Sequence, residues 1–253
     1  PANNPNMIVN GGLLGADSLI FDLEDAVSPD EKDAARELLK NALTTLDFGK
    51  CEIIVRINGL DTPYWEEDLE TILPLGPDMI MPPKVSDGDY IRRLDEKLTE
   101  LEALHGMEQG STKIIALLET AVGVENAYAI AAASPRMEAL FLGAEDLTAD
   151  LRCQRTKAGA EILYARGRLV CAARAAGIEA YDTPFTDTRD LEGLEQDALF
   201  AKGLGFTGKA CISPAHVSTV NRVFSPTQAE IAYAKDVFAA IAEAKRLGKG
   251  AIS

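Results

Sequence analysis

The sequence predicts an α/β fold, a TIM (β/α)8 barrel, from three observations. Seven apolar, strand-like runs recur along the chain, and a helical pattern follows each of them, which is typical of a wholly parallel sheet. The length of 253 residues is that of about eight βα units. Nearly every run ends in an ionisable or polar residue, as the active-site end of such a barrel does. The runs are centred near residues 19, 53, 79, 114, 139, 179 and 210.

Seven strands are one fewer than this barrel requires. The chain opens on PANNPN, which is typical of a loop, and a short helical stretch from Met7 to Leu14 follows. We therefore expect the first strand to be missing from the given sequence. A doubly wound open sheet is the alternative, but the glycine-rich GxGxxG turn that it should show is absent.

The order of the elements predicts two parts. The barrel is expected over residues 1–225. Residues 226–253 are expected to form a helical extension, with one long Ala-rich helix from Thr227 to Leu247. We expect this extension to pack on the barrel or on a neighbouring subunit.

Composition excludes several classes of function. A formal charge of −15 and a pI near 4.6 argue against a nucleic-acid surface or an anionic membrane, because both need a basic face. No run of about 18 apolar residues is present to span a bilayer. The four cysteines are scattered without a CxxC pair, which predicts free, mostly buried thiols in a reducing cytoplasm.

Histidine is scarce, since the chain has only His105 and His216. A His-ligated zinc site or a Ser-His-Asp triad would have to depend on one of these two. His105 lies at a predicted helix end and His216 at a predicted helix start. We expect both to be solvated capping residues.

Two acids stand in equivalent places at the ends of successive strands. Glu119 follows the apolar run 113–118 and precedes a helix start, and Asp146 repeats this placement 27 residues later. Acids at helix starts are often only capping charges. Two of them at neighbouring strand ends also provide the simplest oxygen-ligand metal site.

The other strand ends carry further candidates. Arg56 lies between two apolar residues and is hard to explain as a solvated charge, so a functional role is favoured. Asp22, Glu24 and Asp25 fit either a site or a loop and capping network, whereas Glu145 is expected to be a neighbour of the site and not a ligand. The remaining polar strand ends are Asn58, Lys84, Asp182 and Ser213.

Six strings, in this order along almost the whole chain, resemble one family. They are FDLEDAV (21–27), VRIN (55–58), PPK (82–84), LLET (117–120) with Gly123, GAEDL (143–147) and GFTGKACISP (205–214). Together they are similar to the citrate lyase β-subunit and malyl-CoA lyase family of the HpcH/HpaI aldolase superfamily. The stretch 152–166 most resembles true citrate lyase β subunits.

The resemblance implies a Mg²⁺-dependent carbon–carbon lyase that cleaves a citryl thioester, citryl-CoA or citryl-acyl-carrier protein, to oxaloacetate and an acetyl thioester. Citramalyl-CoA or malyl-CoA cleavage, free-acid class II aldol cleavage and an assembly role remain alternatives. It also implies that Glu119 and Asp146 bind Mg²⁺ and that Arg56, together with Glu119, contacts the keto acid. Asp22 and Glu24 are expected behind them, orienting Arg56 or metal-bound waters. The expected partners are further copies of the chain, as a homotrimer or higher oligomer, and the α and γ subunits of a citrate lyase complex.

The sequence departs from the family in two places. Ser213 stands where relatives commonly have a histidine, so a role for that position is in doubt. Many relatives also continue into a segment whose aspartate reaches a neighbouring subunit's site and exchanges the proton. The residues named above therefore do not identify the general acid/base.

Overall fold

The computed structural model describes residues 1–246, and Leu247, the expected end of the Ala-rich helix, lies outside that range. Within it, seven strands form one sheet in chain order, and each strand is parallel to the next. All seven strands lie where the apolar runs predicted them. They are β1 (Ser18–Asp22), β2 (Glu52–Arg56), β3 (Met79–Met81), β4 (Lys113–Leu118), β5 (Met137–Leu142), β6 (Glu179–Asp182) and β7 (Gly208–Lys209).

Helices connect the strands. Those described are α1 (Pro5–Asn10), α2 (Lys32–Thr45), α3 (Trp65–Ile72), α4 (Gly88–Leu104), α5 (Ala121–Glu125), α6 (Ala127–Ala131), α7 (Ala144–Asp150), α8 (Leu163–Ala176), α9 (Leu191–Leu204), α10 (Pro214–Phe224) and α11 (Gln228–Arg246). None of the helices described is long and apolar enough to cross a membrane.

The two faces of the sheet bury different clusters. Outward-facing strand residues and the helices form the main core. Inward-facing residues of β2 to β5, such as Ile54, Met81, Leu117 and Phe141, form a second cluster against which Tyr181 of β6 packs. Because side chains from strands far apart in the order meet on this inner face, the sheet is curled around it.

The curled sheet ends at β1 and β7, which have no strand on their outer sides among residues 1–246. Ile20 of β1 is in register with inward-facing Ile54 and is 40% exposed. The last strand is shorter than the predicted run 208–213. Its continuation turns toward α10 instead, where the Ser213 side chain caps the helix by accepting from the Ala215 N–H.

Helix α8 begins later than the sequence predicts, whereas α11 begins next to its predicted start. The sequence predicts a helix from about Ala158, but α8 begins at Leu163 because Gly159 takes a positive φ of 66° and a 3₁₀ turn follows. Helix α11 begins with a reciprocal cap between Thr227 and Glu230. It has no buried residue, and Tyr233 and Phe238 are 72% and 73% exposed.

Two expectations about single residue types are wrong. His105 is the exposed cap of α4 as predicted, but His216 is completely buried, because the first turn of α10 packs against the rest of the fold. The cysteines are free but not mostly buried. Cys153 and Cys171 are exposed because they lie in a loop and on the outer side of α8, and Cys51 and Cys211 are half-buried.

Candidate active site

Parallel strands bring their carboxyl ends to one edge of the sheet, and there the charged strand ends meet. Five acids and two cations make up what we call the acidic cluster. When all are ionised, the acids exceed the cations by three charges. The members are Asp22, Glu24, Asp25, Arg56, Lys84, Glu119 and Asp146.

Arg56, at the end of β2, makes a bidentate pair with Asp22, at the end of β1. Arg56 Nε donates to Asp22 Oδ1 at 2.6 Å, and Nη2 donates to Oδ2 at 2.5 Å. The register of the sheet places the two residues side by side. The third guanidinium nitrogen, Nη1, lies 3.3 Å from Glu24 Oε2. Since the side chain is 21% exposed, part of the fork still faces the open end of the sheet.

The environment keeps this pair ionised. Burial tends to raise the pKa of Asp22, but the hydrogen bonds and charge of Arg56, with the N–H groups of Glu24 and Ala26, lower it below the ordinary value. Burial opposes the charge of Arg56 as well. Its carboxylate neighbours, with Asp22 foremost, nevertheless raise its pKa. The guanidinium is thus a fixed positive charge held in one orientation.

Lys84 contacts four of the five acids in the acidic cluster. Its ammonium lies 2.5 Å from Glu24 Oε1, 3.2 Å from Asp25 Oδ2 and 3.8 Å from Asp146 Oδ2. Its backbone N–H donates to Glu119 Oε1 at 2.8 Å. The backbone is left-handed, with φ 50°, which is uncommon for a residue other than glycine. Lys84 therefore contacts carboxylates that come from three different strand ends.

Glu119 follows β4 and is buried, with 3% exposure. Burial is the main cause that raises its pKa, to about 8; the Lys84 N–H opposes the shift, while the Asp146 and Glu24 carboxylates add to it. In the part of the chain that the structure describes, the Lys84 N–H is the one hydrogen-bond donor to this carboxylate. The second oxygen, Oε2, thus has no protein donor there.

A divalent cation fits this arrangement. Glu119 and Asp146 offer hard oxygen donors in a region with excess negative charge, and among residues 1–246 no Lys, Arg or His side chain forms an ion pair with the buried Glu119 carboxylate, although the charge of Lys84 acts on it from farther away. No group of three or more His, Cys, Asp or Glu side chains over residues 1–246 could hold a metal by itself. Two protein ligands suit Mg²⁺, which keeps waters and leaves positions for a substrate. Glu119 and Asp146 could hold such an ion.

Other predicted strand-end residues lie outside the acidic cluster. Asn58 is buried and donates to Asp68 and to the Leu23 carbonyl, so it fixes the loop after β2. The Glu145 side chain lies 3.4 Å from Arg155. Asp182 is completely buried among other partners, and Ser213 is a helix cap.

Asp182 belongs to a second set of charges, which we call the buried quartet. It consists of Arg166, Asp182, Asp197 and Lys209. Arg166 bridges both aspartates with contacts of 2.8 and 2.9 Å, and Lys209 Nζ lies 2.6 Å from each of them. Each of the four side chains is at most 9% exposed. Of these four residues only Asp182 is a candidate from the sequence, because Arg166, Asp197 and Lys209 resemble ordinary helix and strand residues there.

Comparisons with known proteins agree with the geometry. Residues 1–214 match the family model described as HpcH/HpaI aldolase/citrate lyase. The whole chain is 47% identical to the citrate lyase subunit beta of Leuconostoc mesenteroides subsp. cremoris, of which it covers 84%. Over 99% of its length it is 36% identical to the L-malyl-CoA/beta-methylmalyl-CoA lyase of Rhodobacter capsulatus, covering 85% of that protein.

A solved structure shows the same fold with ligands. It is the protein CitE from Mycobacterium tuberculosis in complex with magnesium, acetoacetate and coenzyme A. The TM-score is 0.77 with 32% identity, over 100% of this chain and 87% of that one. The likeness in fold therefore extends over the seven strands.

Proposed function

The chain belongs to the HpcH/HpaI aldolase/citrate lyase family, and from that premise we propose that it is a Mg²⁺-dependent carbon–carbon lyase. Its substrate is a citryl thioester, citryl-CoA or citryl-acyl-carrier protein, and its products are oxaloacetate and an acetyl thioester. The observation that carries the proposal is the convergence of Glu119, Asp146 and Arg56 around Lys84 at one sheet edge.

The reaction breaks the bond between the hydroxyl-bearing carbon and the carbon next to the thioester. A base takes the hydroxyl proton, the hydroxyl carbon becomes the ketone of oxaloacetate, and the bonding electron pair passes to the thioester fragment, which is then protonated. Bound Mg²⁺ would act as a Lewis acid on the keto-acid oxygens. Glu119 and Asp146 are the residues that would hold the ion.

The remaining acids of the acidic cluster orient its two cations and balance their charge. Asp22 takes two nitrogens of Arg56 and fixes the plane of the guanidinium, which leaves its exposed part for a substrate carboxylate. Glu24 pairs with both Lys84 and Arg56 and so offsets the repulsion between these two cations. In this proposal Asp22 and Glu24 act through Arg56 and Lys84 and do not touch the substrate.

Assays of turnover test this function. Citryl-CoA, citramalyl-CoA, malyl-CoA and a free hydroxy-keto acid are compared in Mg²⁺ and in EDTA. We expect citryl-CoA to be cleaved best and only with Mg²⁺. Glu119→Gln should lower the metal-dependent rate by more than about 100-fold. Mutation of a residue that only hydrogen-bonds to a metal ligand already lowers metal affinity or activity by about 10–100-fold. Glu138→Gln removes the same charge at the exposed start of β5 and should leave the rate unchanged.

Each alternative has its own outcome in these assays. If malyl-CoA or citramalyl-CoA is cleaved best, that thioester is the substrate. Cleavage of the free acid alone would indicate an aldolase. Full activity of Glu119→Gln would contradict the metal site. If the purified chain cleaves none of the substrates, the assembly role, with the α and γ subunits of a citrate lyase complex as partners, takes precedence.

We also propose that residues 1–225 supply seven strands of a (β/α)8 barrel, whose eighth strand would lie between β1 and β7. The two sheet edges and the exposed inward-facing Ile20 support this seat. A crystal structure in which β1 pairs directly with β7 would contradict it. The free cysteines fit a reducing compartment, the cytoplasm.

The extension over residues 226–253 is proposed to pack on the barrel or on a neighbouring subunit of a homotrimer. The support is α11, whose apolar side chains Tyr233, Val237, Phe238 and Ile241 are exposed on this chain. Sedimentation equilibrium of wild type and Phe238→Asp tests it. We expect a trimer that the aspartate weakens; a monomeric wild type would exclude the homotrimer.

A further inference from the structure

Gly143 separates β5 from α7 and has no backbone reason to be glycine. Its φ of −97° and ψ of 85° are open to ordinary residues. Its N–H donates to the Leu118 carbonyl at 3.0 Å, and its carbonyl accepts from the Leu147 N–H at 3.1 Å. Other residues could make both of these bonds. The reason for a glycine must therefore lie in the space that a side chain would take.

That space belongs to Glu119. A Cβ built on Gly143 would lie 2.7 Å from Glu119 Cβ and 2.7 Å from Glu119 Oε2, and 3.1 Å from Leu117 Cδ1. Contacts under 3.0 Å do not persist, so one partner would have to move. The backbone is held on both sides, since β4 and β5 are paired up to Leu118 and Leu142 and the Gly143 N–H continues the ladder. Rotation of the side chain could move Glu119 Oε2 away, but Glu119 Cβ is fixed by its own backbone, so the backbone at residue 119 or 143 would also have to shift and the carboxylate would move with it.

The other side of the same carboxylate is also fixed. Glu119 Oε1 accepts the Lys84 N–H at 2.8 Å, and this N–H points at the carboxylate from a left-handed residue. A displacement away from position 143 would therefore disturb this hydrogen bond or the direction of Oε2. The carboxylate sits between a donor that holds one oxygen and a glycine that leaves room for the other.

We propose that Gly143 is a positioning residue for Glu119. Because it has no side chain, Glu119 keeps Oε1 on the Lys84 N–H and Oε2 free for a divalent cation shared with Asp146. Gly143 does not touch the substrate and acts only through Glu119. The inference rests on the proposed function where it takes Glu119 as a metal ligand.

Mg²⁺ titration of the full chain by calorimetry tests the inference with Gly143→Ala. The matched control is Gly203→Ala in α9, where a built Cβ meets no heavy atom within 4 Å. We expect Gly143→Ala to weaken Mg²⁺ binding about 10- to 100-fold, the range for residues that orient metal ligands, while Gly203→Ala binds as wild type does. Binding by Gly143→Ala within twofold of wild type would overturn the proposal.

A double-mutant cycle on the unfolding midpoint keeps the proposal testable if Gly143→Ala folds poorly. Glu119→Gly removes both atoms that the new methyl would strike. The Gly143→Ala substitution should lower the midpoint when Glu119 is present and should have little effect in the Glu119→Gly background. Equal losses in both backgrounds would overturn the inference. If wild type does not bind Mg²⁺ at all, the proposed function fails, and the cycle alone decides the role of Gly143.

Discussion

The acidic cluster and the buried quartet both lie at the carboxyl ends of the strands, but they balance charge in opposite ways. In the quartet, Arg166 and Lys209 face two aspartates at 2.6–2.9 Å, so its charges cancel, and its side chains are almost completely buried. In the acidic cluster, two cations face five acids, and Arg56, Lys84 and Asp146 remain partly exposed. A neutral, closed set of charges has no capacity left for a ligand. An open set with excess negative charge does.

The quartet should therefore matter for stability, and this gives the largest expected effect. Lys209→Met leaves the partners of a buried ion pair without a counter-charge, which should lower the free energy of unfolding by about 3–5 kcal/mol. Lys157→Ala is the matched control, because Lys157 also lies between two aspartates, Asp187 at 2.6 Å and Asp190 at 2.8 Å, but is 59% exposed. Urea unfolding of both variants makes the measurement.

We expect no measurable change for Lys157→Ala, since exposed pairs are screened by solvent. A loss for Lys209→Met no greater than that of the control would show that the quartet is not the structural element described here. Binding of Mg²⁺ per folded molecule should be the same in both variants. A selective loss of Mg²⁺ binding in Lys209→Met would erase the distinction between the two clusters.

The acidic cluster should show a gradual, pH-dependent effect on the metal-free protein, which is smaller than the effect of Lys209→Met when taken per pH unit. Folding raises the pKa of Glu119 from an ordinary value near 4.5 to about 8, chiefly by burial. Between these values the folded chain keeps a proton that the unfolded chain has lost, so stability falls as pH rises through the window. The slope contributed by one such group is at most about 1.4 kcal/mol per pH unit.

Urea unfolding in EDTA at several pH values between 5 and 8 measures this slope. Glu119→Gln is the reference, because it removes the titrating group and keeps the other charges. The difference in unfolding free energy between wild type and this variant should decline with rising pH, and Mg²⁺ should offset the decline for wild type alone. A difference that does not vary with pH would contradict the shifted pKa.

The strands and the edge at which charges meet could be predicted from sequence, because apolar runs and the acids after them are local patterns. The same local pattern could not separate Asp22 from Asp182. Each is an acid at a strand end, and only long-range partners distinguish them: Arg56 in an open pair, or Arg166 and Lys209 in a closed one. Folding, and not the strand end itself, decides which acid faces a ligand.

Residues that act through backbone geometry also escaped prediction. Lys84 is a polar strand end in the sequence, but its contact with Glu119 depends on a left-handed φ that the string PPK does not predict. Gly143 was not recognised, because a glycine before a helix is an ordinary turn residue and its close approach to Glu119 involves another strand. His216 was assigned to solvent from a capping pattern that says nothing about packing.

The burial of the quartet determines how its ion pairs respond to ionic strength. Mobile ions weaken attractions between charges that they can surround, and they scarcely reach pairs that are sealed from solvent. Concentrated potassium chloride should therefore leave the ion pairs that connect β6 and β7 intact. The same salt should screen the exposed charges of the acidic cluster and weaken their attraction for a cation. The protein would then remain folded at salt concentrations that already lower its affinity for a divalent cation.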